Sequence, residues 1–255
     1  MKNLPNGSAD GGMKTVAIVQ ARMGSTRLPG KVLMTLQNRS VLGHVITRLQ
    51  AVNPLDEIWV ATTNLPIDDV IAVEAEHYGV SVYRGDEQDV LDRYYHTALS
   101  AHAQTVVRIT SDCPLLDPEI TADLIRFYYK CNCDYASNTM KRTFPRGLDV
   151  EVFSFQVLET AWRNADQPYE REHVTPYIYL HPEQFRLAAY VGDEDLSHYR
   201  WTLDTLEDWE LIQIIYERLG QDGKMFTYRD VKDLMRMDPS LAKINAHVEQ
   251  KKLGE

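Results

Sequence analysis

The chain has 255 residues, 44% of them apolar and 25% charged. These globular proportions exclude collagen-like, coiled-coil and mostly disordered chains. Lysine and arginine number 27 against 37 acids, a formal net charge of −10, the wrong sign for a protein held to nucleic acid or an anionic membrane surface. Any anion bound here has to be met by a local cluster of cations.

The cysteines, Cys113, Cys131 and Cys133, are too few and odd in number for a secreted disulfide scaffold, so reduced cytosolic thiols are expected. Cys131 and Cys133 have no second pair with which to complete the roughly four ligands of a structural zinc site. No apolar run approaches the ~18 residues that span a bilayer. Residues 1–12, rich in Asn, Gly, Ser and Asp, lack the apolar core of a signal peptide and are expected as a disordered leader. The fold then starts near Met13 as a single domain over residues 13–255, in a cytoplasmic protein.

From Thr15 the pattern alternates between short apolar runs and helical periodicity. TVAIVQ (Thr15 to Gln20) is a β-branched run suited to a strand buried on both faces. After a long loop, Ser40 can cap a helix with Val41, Val45, Ile46 and Leu49 on one side. EIWVATT (Glu57 to Thr63) predicts the second strand. Pro66 opens a helix that Gly79 stops, and SVYRG (Ser81 to Gly85) predicts the third strand. A helix from about Gln88 to His102 precedes the fourth strand, TVVRIT (Thr105 to Thr110). Asp117 then caps a helix with Pro118 at its first position. Four strand–helix units predict an α/β fold: a three-layer, Rossmann-like, mostly parallel sheet with helices on both faces. Further strands are expected at Leu148 to Phe155, Phe185 to Gly192 and Tyr199 to Asp204, and helices over Thr205 to Leu219 and Tyr228 to Met237.

Ligands of such sheets bind at the carboxyl ends of the strands, which singles out the loop QARMGSTRLPGK (Gln20 to Lys31). It holds Gly24, Ser25 and the cations Arg22, Arg27 and Lys31. Glycines let backbone N–H groups approach an anion, and cations neutralise it. Five residues separate Gly24 from Gly30, where a P-loop has four. Val32 also stands where that motif needs Ser or Thr. The loop therefore reads as a polyphosphate site of another kind.

The segment Ala-Arg-x-x-Ser-x-Arg-Leu-Pro-Gly-Lys resembles the opening signature of the nucleotide-sugar cytidylyltransferases. That family includes the CMP-KDO and CMP-sialic acid synthetases and, most similar here, the spore coat polysaccharide SpsF group. The resemblance runs from about Met13 to Leu219. It implies that Ala21, Arg22, Gly24, Ser25, Arg27 and Lys31 wrap the triphosphate of CTP. It also implies Mg2+, homodimerisation through the second half (about residues 134–200), and a role in surface polysaccharide or glycoconjugate biosynthesis.

Other motifs acquire roles in the same way. In ITSDCPLLD, Asp112 follows the fourth strand and is either a turn residue or a magnesium carboxylate; the resemblance favours the metal. In WTLDTLEDWEL, Asp204 or Thr205 can cap a helix, and the resemblance makes Asp204 the partner of Asp112, with Asp208 as a first-turn acid. In TFPRGLDVEVF, Asp149 and Glu151 are expected on the exposed face of a strand whose Val150 and Val152 pack inward. Preceded by Arg146, they match a stretch that lines the acceptor pocket, and the resemblance implies that Glu172, His173 and Thr175 in YEREHVTPYIY border the acceptor or the dimer interface. His173 is also a possible general base. In RGDEQDVLDRY, Arg84, Asp92 and Arg93 are nucleotide-pocket candidates or a helix-surface ion pair.

The implied reaction is in-line attack of an acceptor oxygen on the α-phosphorus of CTP, with pyrophosphate leaving. An arginine such as Arg146 favours an anionic acceptor. Cytosine preference rests on the resemblance alone, so a UTP or GTP donor, or a catalytically silent nucleotide-binding module, remain the competing readings.

Overall fold

A computed structural model describes residues 13–221 and 223–250; the expected leader at 1–12 lies outside them. The four predicted strands form where the β-branched runs place them: β1 (Thr15–Gln20), β4 (Glu57–Thr63), β5 (Ser81–Gly85) and β6 (Thr105–Thr110). Between β1 and β4 lie a small hairpin, β2 (Thr35–Leu36) with β3 (Arg39–Ser40), and helix α1 (Val41–Gln50). Ser40 caps α1 by accepting the Gly43 amide. Helices α2 (Asp69–His77) and α3 (Val90–Ser100) follow β4 and β5, and α4 (Pro118–Cys131) follows β6. Asp117 caps α4 through the Glu119 and Ile120 amides, both at 3.0 Å.

The remaining elements are β7 (Tyr135–Ser137), β8 (Glu151–Ser154), α5 (Phe155–Asn164), α6 (Pro168–His173), α7 (Pro176–Tyr179), β9 (Leu187–Ala189), α8 (Leu206–Leu219) and α9 (Tyr228–Met237). Among the described residues the main sheet has the order β5-β4-β1-β6-β8-β7-β9. Strand β8 alone runs against its neighbours. Alternate residues of β1 point into two separate cores. Ala17 and Val19 join α1, α2 and α4, whereas Val16 and Ile18 join α3, α5 and α7. Helices therefore cover both faces, and a β-branched run is the composition that such burial demands.

A third core packs Trp201 and Leu203 with α8, α9 and the hairpin. The order β5-β4-β1-β6 reverses direction at β1, so a crevice opens between the carboxyl ends of β1 and β6. That is where ligands sit in open α/β sheets.

Four expectations are corrected. The strand predicted from Leu148 begins at Glu151, and Phe155 already belongs to α5 because Ser154 caps that helix through the Val157 amide. Tyr199 to Asp204 is extended but lies outside the sheet. It makes one bridge, Arg146 to Arg200, and its Leu203 amide binds the Asp112 carbonyl at 2.8 Å. Glu151 is not solvated: it is 6% exposed because β8 is an internal strand covered on both sides. Finally, Cys131 and Cys133 are joined by a disulfide rather than reduced. Helix α4 ends at Cys131, and Asn132 takes a left-handed φ of 49° that turns the chain back and leaves the two Cα atoms 5.3 Å apart.

Candidate active site

The crevice is a cavity of about 910 Å³. One wall is the loop after β1. Met23 anchors it: the Met23 amide donates to Asp68 Oδ1 at 2.7 Å, and the Met23 carbonyl accepts from Ser25 and Gly30 at 2.9 and 3.1 Å. Gly30 has φ 71°, a left-handed conformation that glycine adopts without strain. The turn it makes starts the short 3-10 helix Lys31–Leu33 and aims Lys31 inward.

The Lys31 ammonium sits between two carboxylates. It donates to Asp112 Oδ2 at 2.9 Å, Asp204 Oδ1 at 2.8 Å and the Leu203 carbonyl at 2.7 Å. Burial by itself would lower the lysine pKa, but Asp112 and Asp204 outweigh it and hold the ammonium above its usual value. In the same way burial would raise the Asp112 carboxyl, and Lys31 holds it below the usual carboxylate range. The other Asp204 oxygen accepts from Arg200 at 2.7 Å and forms an ion pair with Arg27 at 3.0 Å. Arg200 is itself fixed by Asp208 at 2.8 and 3.0 Å. Asp208 caps α8 reciprocally with Thr205 and accepts from Asn245 at 2.8 Å. Thus Thr205 is the cap, and Asp204 faces the cavity, where Lys31, Arg27 and Arg200 hold it.

The opposite end of the cavity is built on β6 and β8. Arg108 donates to Glu151 Oε2. Glu151 Oε1 accepts from the Tyr135 hydroxyl at 2.5 Å and Thr175 Oγ1 at 2.6 Å. Thr175 reaches this position through a γ-turn: its amide binds the His173 carbonyl at 2.9 Å, and Val174 has φ 73° and ψ −55°. A positive φ is strained for a β-branched residue, and such strain tends to collect at functional sites. Here it buries Val174 completely while His173 and Thr175 face the cavity. Burial lowers the His173 pKa, and Arg108 and Arg22 lower it further against Glu172 and Glu151, so the ring is neutral at pH 7. Arg142 clamps Asp149 with two bonds of 2.6 and 2.9 Å.

Arg146 is half-buried with no ion pair among the described residues, and burial together with Arg142 and Arg200 opposes its charge. Gly147, at φ 101°, lets this segment lie against the Trp201 backbone, where a Cβ would come within 2.5 Å.

Of the residues singled out from sequence, Ala21, Arg22, Gly24, Ser25, Arg27, Lys31, Asp112, Arg146, Asp149, Glu151, Glu172, His173 and Asp204 line this one cavity. Arg84 and Asp92 do not. Arg84 donates to the Thr63 and Leu65 carbonyls, both at 2.9 Å, and pairs with Asp69. Asp92 accepts from Trp162 Nε1 at 2.8 Å. Their neighbour Arg93 lines the cavity instead. Sequence reasoning passed over Arg108, Arg142 and Arg200. The signal for Arg108 is a charge inside a strand otherwise buried on both faces, which requires a partner. Arg200 stands four and eight residues before Asp204 and Asp208. Among the described residues no group of three or more His, Cys, Asp or Glu side chains converges as a metal site.

Comparison with known proteins places these features in context. A family profile described as Cytidylyltransferase matches residues 16–251. The chain is 34% identical over 211 residues to the spore coat polysaccharide biosynthesis protein SpsF of Bacillus subtilis, covering 80% of this chain and 87% of that one. It is 29% identical over 236 residues to the 3-deoxy-manno-octulosonate cytidylyltransferase of Solibacter usitatus, covering 82% and 90%. Among solved structures it is similar to a cytidylyltransferase from Leptospira borgpetersenii serovar Hardjo-bovis, with a TM-score of 0.86 and 34% identity over 94% of this chain and 100% of that one.

Proposed function

The chain belongs to the cytidylyltransferase family, and we propose that it transfers CMP from CTP to an anionic sugar or sugar-like acceptor, releasing pyrophosphate, in the making of a surface polysaccharide or glycoconjugate. The observation that carries this reading is the meeting of the loop cations Arg22, Arg27 and Lys31 with Asp112 and Asp204 at the sheet's switch point. The protein has little covalent work in such a transfer; it positions the reactants and stabilises charge. Arg22 makes no ion pair among the described residues and faces the cavity, so it is available to phosphate oxygens.

Asp112 and Asp204 already converge on one cationic centre with hard oxygen donors, the chemistry magnesium selects. These two residues would hold Mg2+, which supplies charge neutralisation at the phosphates and a lowered pKa for a bound acceptor oxygen. Arg146 is suited to receive the acceptor's carboxylate or phosphate, since guanidinium matches both. His173 lines the same cavity and would accept the proton of the attacking acceptor.

A carboxylate acceptor also agrees with the name of the Solibacter relative, and a polysaccharide destination with that of SpsF. The homodimer expected from the second half is tested by light scattering.

The reading is tested by pyrophosphate release from CTP and Mg2+ with a panel of sugar acids and phosphorylated sugars. Release that depends on one acceptor class and is lost in Asp112→Asn supports it. Release that is equal in that variant, or specific to UTP or GTP, contradicts it.

A further inference from the structure

An ammonium group has three N–H donors and no acceptor, and Lys31 spends all three on Asp112, Asp204 and the Leu203 carbonyl. None is left for a phosphate. Both Asp204 oxygens are engaged, one by Lys31 and the other by Arg27 and Arg200. Three carboxylates (Asp112, Asp204, Asp208) thus face three cations (Lys31, Arg27, Arg200), and the cluster is neutral.

A divalent ion entering it alone would meet an ammonium already seated between its two ligands. The three cations differ in how they are held. Arg200 is clamped by Asp208 and bonded to Gln250 at 2.7 Å. Lys31 is a point charge on a flexible stem, and Arg27 sits on the loop with its side chain 28% exposed. Only the last two can transfer to a polyphosphate without dismantling α8.

We propose that Lys31 stands in for the divalent cation in the nucleotide-free protein. It holds Asp112 and Asp204 together, keeps free metal out, and moves to the phosphates when CTP arrives, so that metal and nucleotide enter as one complex. The proposal rests on the cytidylyltransferase reading of the site. Its consequence is a coupling between metal and nucleotide that is reciprocal by linkage, with Lys31 as its switch.

The test uses Mn2+ as the probe, counted by equilibrium dialysis as the excess on the side holding the full chain, with and without CTP, so that metal chelated by free CTP cancels across the membrane. Wild type is expected to take up Mn2+ only with CTP. Lys31→Gln, which leaves the carboxylates in excess, is expected to bind one Mn2+ per chain without nucleotide at least tenfold more tightly than wild type. Adding Asp112→Asn should abolish that gain, and Lys31→Arg, which keeps the charge, should not show it. A purely structural lysine would not create metal affinity when removed. Should Lys31→Gln fail to fold, wild type alone decides: saturable sub-millimolar Mn2+ binding without CTP overturns the proposal. CTP-dependent uptake with no gain in Lys31→Gln overturns this proposal alone. No effect of CTP on wild type overturns the functional reading and this proposal with it.

Discussion

Arg108 on β6 and Glu151 on β8 are register partners across the antiparallel pair at the floor of the cavity, and their side chains form a buried ion pair there. Such a pair is weak evidence for stability, because desolvation offsets most of the attraction. Its use here is geometric. Glu151 gathers Arg108, Tyr135 and Thr175, so one carboxylate fixes the wall formed by β6, β7 and the strained turn at Val174. Glu151→Gln leaves the Arg108 charge buried without its counter-ion and should cost about 3–5 kcal/mol, read by urea denaturation. A loss below about 1 kcal/mol would show that water already screens the pair.

Gly147 is the second point where the site depends on a single position. At φ 101°, with the Trp201 carbonyl carbon and oxygen each 2.5 Å from where a Cβ would stand, Gly147→Ala combines a disfavoured backbone with overpacking. Roughly 2–4 kcal/mol of destabilisation is expected. The bridge between Arg146 and Arg200 should loosen with it, lowering CTP affinity as well as melting temperature. Unchanged values for both would mean that the segment from Tyr199 to Asp204 shifts freely.

His44 gives a prediction with a sign. Burial, with small contributions from Arg48 and Arg39 against the Leu36 carbonyl bond, lowers its pKa from the ordinary 6.5 to about 4. Between those values the unfolded chain binds a proton that the folded one refuses. The stability His44 contributes is therefore complete above pH 6.5 and falls as pH drops towards 4. His44→Gln should reduce the slope of stability against pH in that window by up to about 1.4 kcal/mol per unit. An identical slope in variant and wild type would mean the ring titrates normally.

Arg146 separates binding from folding. It makes no ion pair among the described residues and lies half-buried beside Arg142 and Arg200, so Arg146→Met should leave the melting temperature unchanged or slightly raised. With an acceptor that supports turnover, kcat/KM should fall about ten- to hundredfold, the loss of one charged hydrogen bond of ~1.5–3 kcal/mol. An unchanged kcat/KM would remove Arg146 from acceptor recognition.

Much of the fold is legible because its causes are local. β1, β4, β5 and β6 are β-branched runs, and the Ser40, Asp117 and Thr205 caps satisfy amides within three residues. The loop from Gln20 to Lys31 is legible by spacing and charge. Glu151 misled because its charge beside Val150 and Val152 reads as a solvent face, whereas its partner Arg108 lies 43 residues away. Tyr199 to Asp204 alternates apolar and polar residues in sequence, yet every residue from Arg200 to Asp204 is buried, because its partners are the loops at Arg146 and Asp112 rather than a strand with a solvent face. Arg84 is drawn away by the carbonyls of Thr63 and Leu65, which no motif announces. The hold of Asn245 on Asp208 spans 37 residues and is visible only once the chain has folded.

The most direct test of the central claim is thermal unfolding of the full chain with CTP, UTP, GTP or ATP, each with and without Mg2+. A ligand at 100 times its dissociation constant adds about 2.7 kcal/mol, a midpoint shift of roughly 5–10 °C for a chain of this size. The account predicts that shift with CTP and Mg2+ together, much less with CTP alone, and none with the other three nucleotides. An equal shift with all four, or none with CTP, would contradict it.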